Sequence, residues 1–255
     1  MIDVAVAGIA TGEISLVGRV MPASNATFVG TIGEVQVVYK PVRGERPLWD
    51  FPDGTLAQRE VAAYAVSEAL GWQVVPPTVL RDGPHGPGMV QAWAEPDPQQ
   101  APVDVVARGH LPDGFRHVFD ALDGDEQPVA LVHEDSAPLR RMAVFDVLVN
   151  NGDRKGGHVL AMADGHRYGV DHGVSFHVEE KLRTVLWGWV GEPLSDAERD
   201  AVRRVHDDAD LLRRLSDLVT EPEVAAYVAR CEALLAAGEM PAPSGEWPAI
   251  PWPAF

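Results

Sequence analysis

Cysteine is almost missing from this chain. Cys231 is the single one in 255 residues, so no intrachain disulfide can form and a reducing compartment is expected. Positive charge is also scarce, with 21 Lys and Arg against 38 Asp and Glu and a formal net charge of −17. A surface that acidic repels nucleic acid and anionic bilayers, so neither is expected as a partner. No apolar run approaches a membrane span, and Asp3 and Glu13 fall where a signal peptide would carry its basic and apolar regions. Together these absences predict a cytoplasmic protein with no membrane span. A Gly-x-Ser-x-Gly elbow is lacking too, which disfavours a serine hydrolase.

What is present is ordinary globular material, 46% hydrophobic and 23% charged. That suffices for one large domain or two lobes sharing a cleft. The most informative stretch runs from Val144 to Phe176. An apolar lead-in enters a polar turn, Asn150-Asn151-Gly152-Asp153-Arg154-Lys155-Gly156-Gly157-His158, and a hairpin follows that ends in Asp171-His172-Gly173. The hairpin thus delivers one carboxylate at each end. Metal-assisted phosphoryl transfer needs such a pair: one carboxylate orients the attacking hydroxyl and takes its proton, and the other holds the metal against the phosphates. Singly, each motif also reads as a common turn.

The order Asp-Arg, three residues, a ligand position, a hairpin and Asp-x-Gly resembles the catalytic core of the atypical kinases, the phosphatidylinositol 3- and 4-kinases and the HipA-like kinases. The resemblance implies an α+β, bilobal protein-kinase-like fold. It implies that Asp153 is the catalytic base, His158 a metal ligand and Asp171 the main metal ligand. His158 departs from the Asn of that group, and imidazole suits Mn²⁺ somewhat better than Mg²⁺. Arg154 and Lys155 are candidates for stabilising the transferring phosphoryl.

Upstream, residues 13–42 alternate as three strands. In a kinase-like lobe the loop between the first two covers phosphate, and Ser24, Asn25 and Thr27 offer donors there; an ordinary hairpin turn fits the same residues. Lys40, at the end of the third strand, is where a kinase places the lysine of the α- and β-phosphates. Residues 56–70 read as a helix with Asp53 or Thr55 as cap and Gly71 as stop. Glu60 lies on its small and apolar face, placed to pair with Lys40. Two β-runs at 71–80 and 89–94 then lead to a hinge, where adenine would meet backbone near Gln91 and Trp93, assigned by position.

The expected organisation is a β-rich lobe with one helix over 1–95, a helical lobe over 96–240 holding the hairpin at 150–173, and a Pro- and Trp-rich tail over 241–255. Helical pieces are predicted around Phe115–Leu122, at 136–149, from Ser195, and near 208–219 and 222–237. Residues 174–194 form the activation or substrate segment, where Lys181 and Arg183 could meet an acidic substrate. Trp187 and Trp189 are expected in the core.

The expected activity is therefore transfer of the ATP γ-phosphate, with Mg²⁺ or Mn²⁺, to a hydroxyl of a soluble small molecule or protein. Two alternatives stay open. A metal-dependent hydrolase could use Asp153, His158, Asp171, His172 and His177 without Lys40. A pseudokinase would bind ATP without turnover.

Overall fold

The alternating residues near the N-terminus build one side of the molecule. In the structure, a computed structural model that describes residues 2–20, 25–46, 48–51, 55–245 and 247–255 (backbone alone for 2–5), β1 (Ser15–Arg19), β2 (Phe28–Ile32) and β3 (Val35–Pro41) run antiparallel. With β4 (Thr78–Gly83) and β5 (Gly86–Ala92) they form a five-stranded sheet in the order β1-β2-β3-β5-β4. Ile32, Val37, Tyr39 and Val90 meet Ile9 and Ile14 in a small core. Ile9 belongs to α1 (Ile2–Ala10), so residues 1–95 carry two helices where one was expected. The sequence of α1 is apolar nearly throughout and shows no amphipathic period. Arg81 closes its C-terminal end by donating to the carbonyls of Ile9 and Gly12, at 3.0 and 2.7 Å.

Helix α2 (Leu56–Leu70) runs where its composition placed it, and Gly71 ends it in the left-handed region at φ 69°. Of the two residues offered as its N-terminal cap, Asp53 lies outside the described residues and Thr55 makes no side-chain cap bond. The Glu45 carboxylate instead accepts from the N–H groups of Leu56 and Ala57, at 3.1 and 2.8 Å. Arg59 fastens the helix to the rest of the chain, donating to Glu223 at 2.6 Å and to the Ser175 carbonyl at 2.7 Å from a nearly buried position.

Residues 96–240 hold more strand than expected. β6 (Val103–Ala107), β7 (Phe115–Leu122) and β8 (Pro128–Glu134) form an antiparallel sheet in the order β6-β8-β7, so the helix predicted around Phe115–Leu122 is a strand. A tight turn at 123–127 forces the hairpin: Asp123 N–H donates to the Gln127 carbonyl, and the Asp123 carboxylate accepts from Asp125 and Gln127 N–H. A bulge between His117 and Phe119 shifts the alternation that would have marked the strand.

The remaining elements are α3 (Ala137–Val149), the hairpin β9 (Val159–Ala161) and β10 (Arg167–Gly169), α4 (Asp196–His206), α5 (Ala209–Ser216) and α6 (Glu221–Ala237). The described residues thus hold six helices and three antiparallel sheets, a mixed α/β architecture. Ser136 caps α3 by accepting from Leu139 N–H, and Ser195 with Glu198 forms a capping box on α4. Leu139, Met142, Phe145 and Leu148 of α3 are fully buried against Trp189 and Tyr227 in the main core, each contributing roughly 2 kcal/mol. Trp187 is half-buried. Burial also pushes the Cys231 thiol up to about 11. No helix among the described residues is long and apolar enough to cross a membrane.

Candidate active site

The loop that leaves α3 is shaped by polar side chains. Asn150 ends the helix in the left-handed region at φ 53°. Its amide donates to the carbonyls of His177 and Glu179, and its oxygen accepts from Lys181 N–H. Asn151 donates to Asp146 at 3.0 Å and accepts from Asp153 N–H at 3.0 Å. Beneath them lies Arg154, with no exposed side-chain surface. It pairs bidentately with the equally buried Asp146 at 2.9 and 2.8 Å. Its other donors reach the carbonyls of His158 and Val170 and the Nε2 of His172. The expectation that Arg154 faces a transferring phosphoryl is therefore corrected: the guanidinium is sealed under the loop.

Above this anchor three charged groups meet. Lys40 Nζ, on β3, lies 2.7 Å from Glu60 Oε1 on α2 and 2.9 Å from Asp171 Oδ1 after β10. Glu60 uses its other oxygen to accept from His172 N–H at 2.8 Å. Burial works to lower the Lys40 pKa, but the charges of Asp171 and then Glu60 outweigh it and hold it above the ordinary lysine value. Lys40 in turn drives Asp171 well below the usual carboxylate range. Asp171 takes φ 63°, a strained conformation for a residue other than glycine. From there its second oxygen faces His158 Nε2 at 3.6 Å.

His158 is oriented by the loop itself. Its Nδ1 donates to the Asp153 carbonyl at 2.8 Å, which leaves the Nε2 lone pair facing Asp171. Burial, the largest influence, holds its pKa below the ordinary histidine value. His172 is held much further down, by burial and then by Arg154, so it stays neutral and accepts from that arginine.

Lys40 and Asp171 line two clefts at once. The first, of about 530 Å³, has apolar walls from Val20, Val38, Leu160 and Val170 and ends at the residues after β5. Thr27 and Lys155 also line it. Gln91 is buried there with its amide donated to Thr78 at 2.9 Å, and Trp93 sits at the rim with its indole N–H on Glu95 at 2.7 Å. Trp93 spends its backbone N–H on the Gln36 carbonyl. Asn25 lines both clefts and accepts from Arg46 N–H at 2.8 Å; Ser24 lies outside the described residues. The second cleft, of about 470 Å³, contains Asp153, Arg183 and Arg46. Asp153 stands between two cations, Lys155 at 3.3 Å and Arg183 at 3.5 Å.

Other expected residues fall elsewhere. Lys181, read as a contact for an acidic substrate, is nearly buried, paired with Asp50 at 2.9 Å and set over the rings of Trp49 and Trp247. His177 packs edge-on against Phe51 and accepts from Glu179 N–H. The five-residue His/Asp metal site consequently does not assemble, and among the described residues no group of three His, Cys, Asp or Glu side chains is placed to hold a metal ion. The sequence reading also missed the Arg59–Glu223 pair and the Asp146–Arg154–His172 line, whose sole local signal was an acidic residue inside an apolar helix.

Fold and site together define a mixed α/β protein with a Lys–Glu–Asp cluster where two clefts meet. No protein-family model matches the chain. It is 49% identical over 262 residues to Protein Rv2133c of Mycobacterium tuberculosis, covering 97% of this chain and 94% of that protein, and it belongs to the same family. Among solved structures, a Helicobacter pylori proinflammatory kinase, CtkA, aligns over 90% of this chain and 93% of its own, at 13% identity and a TM-score of 0.42.

Proposed function

We propose that this chain is an ATP- and divalent-metal-dependent phosphotransferase with a kinase-like bilobal arrangement, akin to the phosphatidylinositol 3-/4-kinase-like and HipA-like enzymes. The observation that carries the reading is the Lys40 ammonium held between Glu60 and Asp171 where the two clefts meet. The apolar cleft would take the adenine between Val20, Val38, Leu160 and Val170, with its edge toward the backbone near Gln91–Ala94. Lys40 would then meet the α- and β-phosphates, held toward them by Glu60.

The polar cleft would take the acceptor alcohol. Its hydroxyl proton passes to the Asp153 carboxylate, the oxygen bonds to the γ-phosphorus, and the bond to the β–γ bridging oxygen breaks to release ADP. Lys155 and Arg183 flank Asp153 and stand beside the phosphoryl in flight. Asp171 Oδ2 and His158 Nε2 suit a divalent cation as a donor pair, with phosphate oxygens and water making up the rest of the shell. Such an ion would neutralise charge on the β- and γ-phosphates. Arg154 serves the site by holding the loop.

The test is titration calorimetry of ATP with Mg²⁺ and then Mn²⁺ into wild type, Lys40→Ala and Asp171→Asn, with ADP release measured alongside in Asp153→Asn. Loss of one charge-assisted contact is expected to weaken binding about tenfold or more in the first two variants. Asp153→Asn is expected to bind ATP and release no ADP. Nucleotide binding by wild type without ADP release over an acceptor screen would favour the pseudokinase alternative. Absence of nucleotide binding under either metal would refute the reading.

A further inference from the structure

We propose that residues 247–255 are a positioning element of the site: they hold the turn at 156–158 in place, and with it Lys155 and His158. The inference rests on reading the 150–158 loop as catalytic. Most of that loop is bonded within itself or to residues 174–185; Gly156 accepts from Val159 N–H, but its own N–H turns elsewhere. It is buried, and its N–H donates to the Ala254 carbonyl at 2.8 Å. The Phe255 ring lies against its Cα, so that a Cβ at position 156 would overlap the ring. Glycine there allows the close approach and is not set by a turn; a side chain would have to displace the half-exposed Phe255 ring.

The same segment grips the neighbouring strand-like stretch. Thr184 N–H and the Trp187 indole N–H both donate to the Ala249 carbonyl, at 3.0 and 2.8 Å. On its other edge that stretch pairs with the loop, Arg154 N–H to the Arg183 carbonyl and Val185 N–H to the Arg154 carbonyl. Three segments of main chain therefore lie side by side, with the loop on one edge and the tail on the other. Trp247 stacks on Trp49 with 6.1 Å between ring centroids, and it lines a small cavity with Gly152 and Arg183.

The consequence is local. The turn at 156–158 closes by His158 N–H donating to the Lys155 carbonyl, and it aims the His158 imidazole at Asp171. With Gly156 pinned, that aim is kept. With the tail contact removed, the turn keeps its own bond and the contacts of His158 with Asp153, Arg154 and Val170, but its Gly156 end loses the one bond that ties it to a distant segment.

Hydrogen exchange of wild type, Phe255→Ala, Gly156→Ala and the double variant tests this in the whole chain, with Phe255→Leu as the conservative control. Phe255→Ala is expected to speed exchange over residues 154–158 about tenfold while α6 stays unchanged, as for a local opening, and Phe255→Leu is expected to restore most of the protection. In a turnover assay the same variant should lower kcat about tenfold with KM for ATP changed less than about threefold, since only orientation is lost. The double variant is expected to be no worse than Phe255→Ala, because the vacated ring space admits the new methyl. Wild-type exchange at 154–158 in Phe255→Ala, equal acceleration in α6, or effects of the two single variants that multiply would each overturn the proposal. If wild type turns over no ATP, the proposed function fails, while the exchange arm still reads whether the tail braces the loop.

Discussion

Replacing Asp146 by alanine strips the acceptor from beneath the loop. Both Asp146 and Arg154 have no exposed side-chain surface, so water cannot take over. Two guanidinium donors and the Asn151 amide lose their partner together. Breaking a buried pair from one side costs about 3–5 kcal/mol, because the surviving charge is left uncompensated. A loss of about 4 kcal/mol is a large share of the roughly 5–15 kcal/mol typical of a folded domain, and for a chain of this length it lowers Tm by about 10 °C. Urea and thermal unfolding of Asp146→Ala measure it directly. The double variant Asp146→Leu with Arg154→Met removes both charges and is expected to recover part of the loss, not all of it, because the Asn151 amide, the His158 and Val170 carbonyls and His172 Nε2 each still lose a partner. A loss under about 1 kcal/mol in the single variant, as for a surface pair, would refute the account of the loop as hung on a buried ion pair.

Two further expectations concern parts distant from the clefts. His133 is buried and satisfied in its neutral form, Nδ1 donating to the Glu134 carbonyl and Nε2 accepting from Gly188 N–H, and burial is the leading cause of its lowered pKa. The unfolded chain therefore takes up a proton near pH 6.5 that the folded chain refuses. Its contribution is complete above that pH and falls away as the pH drops, with a limiting slope of about 1.4 kcal/mol per pH unit. Urea unfolding at pH 7 and 5.5 should show a weaker pH dependence in His133→Asn than in wild type, and an unchanged dependence would count against the assignment. Glu45→Ala should cost about 1 kcal/mol by uncapping α2, whereas Thr55→Ala should cost little; chemical denaturation that ranks them the other way would return the cap to Thr55.

Local physics settled much of this protein in one dimension. The helices at 56–70 and 137–149 follow from runs of helix formers bounded by Ser136, Pro138 and Gly71, and the capping box at Ser195 from two side chains three residues apart. β1 to β3 and the 159–169 hairpin were legible from alternation and turns, and so was the position along the chain of Lys40, Glu60, Asp153 and Asp171; the run read as a strand over 71–80 is one only from Thr78, and β4 and β5 extend into the turn read over 81–88, which narrows to 84–85. What the sequence could not carry was partnership. Lys40 and Asp171 are 131 residues apart and touch because two separate elements pack across a cleft. Burial then decided between residues that look alike in a sequence: Arg154 and Lys181 are enclosed and fully engaged, while Arg183, two positions from Lys181, lines the cleft beside Asp153. The cap of α2 comes from Glu45, eleven residues before Leu56, and the support of Gly156 from Ala254 and Phe255. Periodicity and capping depend on neighbours within a few residues, so they are written along the chain; desolvation and the choice of ion partner depend on what the whole fold brings alongside, and only the tertiary structure decides them.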